Sequence, residues 1–430
     1  MVGPIKNNIP ASELLLAYTH NNEGAVSRMT AIYNYKEMQV NITITSRFKQ
    51  TALFSVGTLA MSVASASHAV NFEVGDTTAS VYGYAKLDII YDVNDDLGNS
   101  IGHNNISLDG QDTQEGNFDM HAYQSRIGFS TSTPVDGSEL KTQIEGDFYG
   151  GGGGEFRLRH AFGSWNGLLA GQYWTNFYGF VSGTPTIDFT GIPGVANQAR
   201  QPQLRYTTGN FSASIEDPDT LGGSENTVNA TQEGDDVAKS SLPDVTARYT
   251  DTSGPFKYSA SAVLRQVEYD AEEFPGAAVD DDSSFAWGAA LEGALEVSET
   301  LTLRAGVTHG DGIGGYLNAS PQTSPAYIDA ASGDLETIES TGGTVGASLK
   351  VGPGAINASY SAATADLDDA DTTSFADDAN DTFETVHLNY IWSPAERISY
   401  GIETSWASRE VRDGRDGDGV RIQGMAMYSF

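Results

Sequence analysis

The sequence predicts an all-β transmembrane protein: an antiparallel β-barrel of 16 strands with short periplasmic turns and long extracellular loops. Three observations predict it. Apolar and polar side chains alternate over sixteen short segments, long and short links alternate between those segments, and the chain ends on an alternating strand whose last residue is the aromatic Phe430. Alternating strands of about 9–11 residues cross an outer membrane once the sheet is closed. Closure is compulsory, because an open edge in lipid leaves backbone groups unpaired.

The opening segment is read differently. Arg47, Phe48 and Lys49 form a basic n-region, Thr51 to Ala64 an apolar h-region, and Ser67-His68-Ala69 gives the small residues that a signal peptidase reads. Residues 47–69 are expected to be a signal peptide cleaved after Ala69. Residues 1–46 are expected to be a misassigned start or an extended leader, with Met29 or Met38 as the real first residue. Residues 70–430 then form one transmembrane β-barrel domain, a multi-pass protein of the cell outer membrane. After Ala69 no apolar run approaches the roughly 20 residues that a membrane helix needs.

Composition narrows the chemistry. The 430 residues include no cysteine, which removes disulfides, thiolate nucleophiles and Cys-based metal sites. Acidic side chains number 57 against 23 basic ones, a net charge of −34, which argues against a nucleic-acid partner. No cofactor is implied.

The alternation begins at once: Val81, Gly83, Ala85, Leu87, Ile89 and Tyr91 share one face, Tyr82, Tyr84, Lys86 and Asp88 the other. Strands are expected at 79–92, 120–131, 138–149, 155–163, 167–175, 201–208, 210–216, 242–250, 255–267, 285–292, 299–309, 342–350, 354–360, 385–392, 397–406 and 420–430. Tight links fall at the periplasmic rim and long ones outside, and an even strand count leaves both termini on the periplasmic side. Tyr91, Tyr173, Tyr206, Tyr249, Tyr258, Tyr390 and Trp392 carry the apolar parity near strand ends, as aromatic girdles do. Phe430, with Tyr428 two residues before it, has the form of the terminal strand that the barrel-assembly machinery recognises.

Parity also sorts the charges. Arg126, Arg157, Arg159, Arg205, Arg248, Arg265, Arg304 and Arg421 all fall opposite to the apolar face, as do Lys86, Lys141, Lys257 and Lys350. Inward acids are Asp88, Glu145, Asp147, Glu216, Asp244, Glu292 and Glu403. Avoidance of lipid accounts for the parity, since Arg or Lys at mid-depth costs roughly 2–4 kcal/mol. It does not account for the sign: cations outnumber acids in the wall of a strongly acidic chain. A cationic lumen favours anions and offers bidentate partners to carboxylates.

Segment 176–200 stands apart from the aspartate-rich long loops, such as those holding Asp280, Asp281 and Asp282 or Asp368, Asp369 and Asp371. It is nearly uncharged and rich in Phe177, Tyr178, Phe180, Pro185, Phe189 and Pro193. It is expected to fold into the barrel as a constriction loop; a loop packed on a neighbouring subunit or on sugar outside is the alternative.

Leu140 to Phe148 (LKTQIEGDF), Phe156 to Gly163 (FRLRHAFG), Gly171-Gln172-Tyr173-Trp174 and Arg200 to Tyr206 (RQPQLRY) together resemble the DcaP-like outer-membrane transporters of Gram-negative bacteria. The resemblance is densest over about 140–206. It implies a trimeric 16-stranded channel for selective, passive uptake of small anions, dicarboxylates and aromatic acids among them. It also implies arginines near the constriction, and carried over these are Arg157, Arg159, Arg200 and Arg205. Members can carry a periplasmic coiled coil before the barrel, whereas only about ten residues separate Ala69 from the first strand here.

A homotrimer held in outer-membrane lipid and lipopolysaccharide is the expected assembly, with small anionic solutes as cargo. A general, cation-preferring porin is the competing reading, ahead of a barrel enzyme or an adhesin. His103 and His309 lie near or in loops, His121 and His160 take the outward parity, and His387 points inward with Asn389. None has a serine and an acid at a persuasive strand offset, and no zinc spacing occurs. The glycine run 150–154 reads as a flexible hairpin tip. Replacing Arg159 or Arg205 by alanine is expected to lower anion flux with little loss of folding.

Overall fold

Strict alternation lets one sheet face lipid with one set of side chains and water with the other, and the computed structural model closes that sheet on itself. It describes residues 14–21, 26–35, 38–47, 69–219, 238–269, 282–329, 334–368, 370 and 376–430. The barrel strands are β1 (Thr77–Asp92), β2 (Asn117–His121, resuming as Arg126–Val135), β3 (Ser138–Gly150), β4 (Glu155–Trp165), β5 (Leu168–Trp174), β6 (Arg200–Thr208), β7 (Phe211–Glu216) and β8 (Asp244–Ser253). They continue as β9 (Phe256–Tyr269), β10 (Asp282–Glu296), β11 (Leu301–Asp311), β12 (Glu339–Val351), β13 (Gly354–Ala365), β14 (Asn380–Ala395), β15 (Ile398–Val411) and β16 (Asp416–Ser429). Each pairs antiparallel with the next, and β16 closes on β1 from Arg421↔Asp92 to Ser429↔Tyr84. All sixteen expected strands are present.

The seam extends past β16. The Phe430 N–H donates to the Gly83 carbonyl at 3.0 Å. A short strand, Val70–Val74, then takes over the β1 edge by pairing with Thr77–Val81. Upstream, Leu14–Asn21, Val26–Tyr35 and Met38–Arg47 form a separate three-stranded antiparallel sheet, where the sequence reading assigned no structure. Its strands include the alternating Val40, Ile42 and Ile44. Most of the expected leader (48–68) lies outside the described residues, as do Asp280, Asp281, Asp369 and Asp371.

Large apolar side chains are exposed on the outer wall, among them Ile127, Phe129, Ile144, Leu204, Leu291, Val345 and Ile402. In water such a surface would be a liability; in hydrocarbon it is the stable arrangement. Tyr91, Tyr206 and Tyr249 are also outward and exposed.

Two irregularities overturn parts of the parity reading. The span 120–131 is not continuous. Four residues, 122–125, stand opposite the three residues 85–87 of β1, and the added residue turns His121 inward, where it is buried. In β4 the register shifts so that Glu145 pairs with His160 and Gly146 with Leu158, leaving Arg159 as the extra residue of a bulge. An extra residue flips every later side chain to the other face. His160 is therefore buried on the lumen side, and Phe162 pairs with inward Gln143. Tyr173 leaves the expected girdle as well: it pairs with fully buried Gln201, and its ring lies 5.6 Å from the Arg205 guanidinium.

Candidate functional site in the barrel lumen

The segment 176–200 runs inside the wall and is bonded to it along its length. Its anchors are inward carboxylates. Glu292 of β10 accepts the N–H groups of Gly179 (2.6 Å), Val181 (2.8 Å) and Ser182 (2.9 Å) and the Ser182 hydroxyl (3.0 Å). Glu403 of β15 accepts the N–H groups of Ile187 (2.8 Å) and Asp188 (2.9 Å). Glu216 of β7 accepts Asn176 N–H and the Thr175 hydroxyl, both at 2.7 Å. A carboxylate taking several N–H donors is held by charge-assisted bonds of roughly 1.5–3 kcal/mol each.

Apolar packing supplies the rest. Phe177, Tyr178, Ile192, Val195 and Ala196 are buried in one cluster with Val263 and Ala290 of the wall and with Ile313, Tyr316 and Leu317. Asp188, the one acid of the segment, receives Arg421 at 3.0 Å and the Ile101 N–H. Burial raises the Asp188 carboxyl above its ordinary range, against the opposing pull of Arg421.

Gly194 marks the closest approach of loop to wall. Its φ is +74°, and a Cβ there would overlap the Ala362 carbonyl oxygen and stand 2.7 Å from the Gly343 nitrogen. Gly194→Val should therefore push the loop off β12 and β13. Lower heat resistance of the folded barrel on gel electrophoresis, together with a higher single-channel conductance, is the expected result.

The cations divide into two sets. Arg157 bonds Asp147 at 2.7 Å, and Arg159 bonds Glu145 at 3.0 Å and Asp147 at 2.6 Å. Arg126 stands 3.4 Å from Glu145, Arg265 stands 3.4 Å from Asp244, and Lys86 pairs with Asp88 at 2.8 Å. Arg421 is fully buried and grips both Asp92 oxygens, at 2.7 and 2.8 Å, as well as Asp188. Arg421 and Lys86, both expected to line the pore, are thus enclosed: Lys86 also donates to the Ile187 carbonyl at 3.1 Å. They fasten the loop rather than present a surface to a solute. Lys141, near the periplasmic turn, is largely exposed and paired with Glu139 at 2.9 Å.

The second set has no carboxylate within ion-pair distance among the described residues: Arg200, Arg205, Arg248 and Arg304. Arg248 donates to the Tyr178 carbonyl at 2.5 Å, and Arg205 donates to the Trp174 carbonyl. Arg200 and Arg159 share the Trp174 ring, at 4.7 and 5.5 Å from its centroid. Arg157 lies 5.5 Å from the Phe189 ring of the loop, and Phe189 in turn stacks on Tyr149 at 4.1 Å. Cationic and aromatic groups therefore alternate along β2 to β8 facing the loop. All seven inward acids are engaged, either by cations or by loop donors, which leaves these arginines, with Lys257 and Lys350, without a counter-charge among the described residues.

Folding brings one serine, histidine and acid together across strands. His387 Nδ1 lies 2.9 Å from Ser405 Oγ and 3.6 Å from Glu403. Both partners address the same ring nitrogen, Nε2 is bonded to the Gly191 carbonyl at 3.1 Å, and all three residues are buried. A relay needs its base and its orienting acid on opposite nitrogens, so this group serves as a loop fastening. Among the described residues no cluster of His, Asp or Glu could hold a metal ion.

The bulge residues were the part of the site missed from sequence. The adjacent polar pair Arg159-His160, which breaks the alternation, was the available signal.

A family model described as the DcaP outer membrane protein matches residues 49–430. The outer membrane channel DcaP of Acinetobacter baumannii is similar in structure, with a TM-score of 0.70 at 25% identity over 83% of this chain and 99% of that one. The anion-selective porin from Comamonas acidovorans superposes with a TM-score of 0.50 at 12% identity, covering 82% and 100% of the two chains. OmpF of Salmonella typhi, in a complex with daunomycin, gives 0.51 at 10% identity over 84% and 100%. These last two likenesses speak to the fold alone. No curated protein sequence matches this chain. With the closed barrel, the inward loop and a family match over nearly the whole length, this chain belongs to the DcaP outer membrane protein family and is an outer-membrane β-barrel channel.

Proposed function

We propose that the channel passes small anions, organic carboxylates foremost, between the loop 176–200, which forms the constriction, and the arginines of β2 to β8. The observation that carries this is the asymmetry of pairing. Glu292 and Glu403 are tied to loop N–H groups, whereas Arg200, Arg205 and Arg248 keep no carboxylate within ion-pair distance among the described residues. A dicarboxylate can engage two such guanidinium groups at once. The rings of Trp174, Tyr173 and Phe189 beside Arg200, Arg205 and Arg157 suit the flat face of an aromatic acid.

Purified channels in a planar bilayer under a potassium chloride gradient test this reading. The reversal potential should have the sign of chloride preference, and a dicarboxylate should block the chloride current. A potassium-preferring potential would favour the ordinary acidic-mouthed porin instead, for which the aspartate-rich outer loops are the supporting feature.

The working form is a homotrimer of chains that begin at Val70 after removal of the leader. Phe430, at the closing seam, is the segment that the assembly machinery reads. Native mass spectrometry of protein extracted from outer membranes in mild detergent should give three chains of residues 70–430. A monomer mass, or chains that retain residues 47–69, would refute one half of this statement or the other.

A further inference from the structure

One wall position carries buried hydrogen-bonding groups without partners among the described residues. Arg304 of β11, Gly346 of β12 and Ser359 of β13 stand in one row of the sheet, each opposite the next. Paired positions on neighbouring strands bring their Cβ sites to about 4.5–5.5 Å. Gly346 leaves its place in that row empty, and Thr184 of the inward loop occupies the space: a Cβ on Gly346 would overlap the Thr184 hydroxyl. Arg304 and Ser359 thus flank the Thr184 side chain.

Each of these three groups is buried, with 5% exposure for Arg304, 6% for Thr184 and 5% for Ser359. Arg304 Nε, Thr184 Oγ1 and Ser359 Oγ have no hydrogen-bond partner among the described residues. The far side of the guanidinium is anchored, with Nη1 donating to Ser348 Oγ at 2.7 Å. The residue opposite Arg304 on β10 is Ala294, which brings no polar group. Glu292, two residues away on that strand, is already held by Gly179, Val181 and Ser182. A buried cation left without a counter-charge is unfavourable, and the guanidinium charge beside the two hydroxyls excludes a metal ion or an ammonium group while leaving their O–H groups free to donate.

We infer that Arg304, Thr184 and Ser359 form a site for one halide-sized monovalent anion, held between the inward loop and the β11–β13 wall. The anion accepts from Nε–H and from both hydroxyls, and so ties Thr184 to the wall as a non-protein fastening. Thr184 is thereby placed by the solution anion, and the loop is more firmly held in chloride than in a salt whose anion is too large to enter. Arg304 then contributes little to the selectivity of the open path, because its charge is balanced in place. The inference is independent of which ion the pore prefers.

Crystals of the full channel grown in sodium bromide provide the direct test. An anomalous bromide peak within bonding distance of Arg304 Nε and Thr184 Oγ1, absent in Arg304→Gln, is expected. A water at that position without anomalous signal overturns the site. In solution, the unfolding midpoint of the detergent-solubilised channel should be higher in sodium chloride than in sodium gluconate at equal ionic strength. The difference should vanish in Thr184→Val, which keeps shape and burial, and shrink in Ser359→Ala. A chloride effect of the same size in both variants would assign the stabilisation elsewhere and sink the proposal. A potassium-preferring pore that still shows the bromide peak would count against the anion-uptake reading alone.

Discussion

Replacing Arg200, Arg205 and Arg248 together by glutamine is expected to reverse the reversal potential from chloride preference to potassium preference. The three guanidinium groups have no ion-pair partner among the described residues, so their removal uncovers no carboxylate and costs in folding only the bonds to the Tyr178 and Trp174 carbonyls. A unit charge about 7 Å from a permeating ion is worth roughly 0.6 kcal/mol in bulk water and about 2.4 kcal/mol at an effective dielectric of 20. Each loss therefore changes the anion's residence by roughly threefold to fiftyfold, and three together outweigh any modest initial preference. The acidic outer loops remain and act the other way, more strongly at low salt than when screened. Block by a dicarboxylate should weaken in parallel. Unchanged selectivity in the triple variant would remove the arginine path from consideration.

Arg159 will not behave like these three. It is 3% exposed and bridges Glu145 and Asp147, so Arg159→Ala takes one of two cations from each of these buried carboxylates, leaving Arg126 with Glu145 and Arg157 with Asp147, and should lower stability measurably. The sequence-based expectation that its loss spares folding treated the lumen wall as uniformly wet. Ion pairing across β3 and β4 makes it locally dry.

The other large effect is expected at the latch. Arg421→Met deletes the group that joins Asp92 to Asp188, and removal of one partner from a buried pair costs roughly 3–5 kcal/mol. The loop should loosen around Asp188, where Glu403 still accepts the Ile187 and Asp188 N–H groups, while Glu292 and Glu216 hold the segment before it. Single-channel recordings should show higher conductance with added open-channel noise, and the folded barrel should unfold at a lower temperature. Asp188→Asn, which leaves Arg421 paired with Asp92, should loosen the loop with a smaller loss of stability. Wild-type conductance in both variants would mean that Asp188 does not position the loop.

The strands were legible because alternation is local: sixteen segments could be read one at a time, and their order needed no further information. Register within a strand was legible only until a bulge intervened. Nothing in the composition of 122–125 forces an extra residue, so His121 and His160 were assigned to the lipid side from a parity that holds for only half of each strand; Tyr173 lies on an unbroken strand and was misplaced because its aromatic ring alone suggested the girdle. Loop 176–200 declared itself by its scarcity of charge, but the residues that hold it did not. Glu292 and Glu403 look like any inward acid, and their loop partners lie more than 100 positions away. The division of the arginines into paired and unpaired sets was hidden for the same reason. Parity gives a side chain its face, and only the closed sheet gives it neighbours.

Arg421 carries one more consequence, for the order of assembly. Its two carboxylate partners sit on β1 and in the loop after β5, and Asp92 is 329 residues away along the chain. Neither partner can be met until β16 has been laid against β1, so loop-closure entropy places this contact late in folding. Until the barrel has sealed, the Asp188 carboxylate lacks its Arg421 partner, and the loop lacks that fastening. Sealing of the wall and the last fastening of the loop are thus one event, and if the loop is the constriction as proposed, a half-inserted chain lacks its tightened passage.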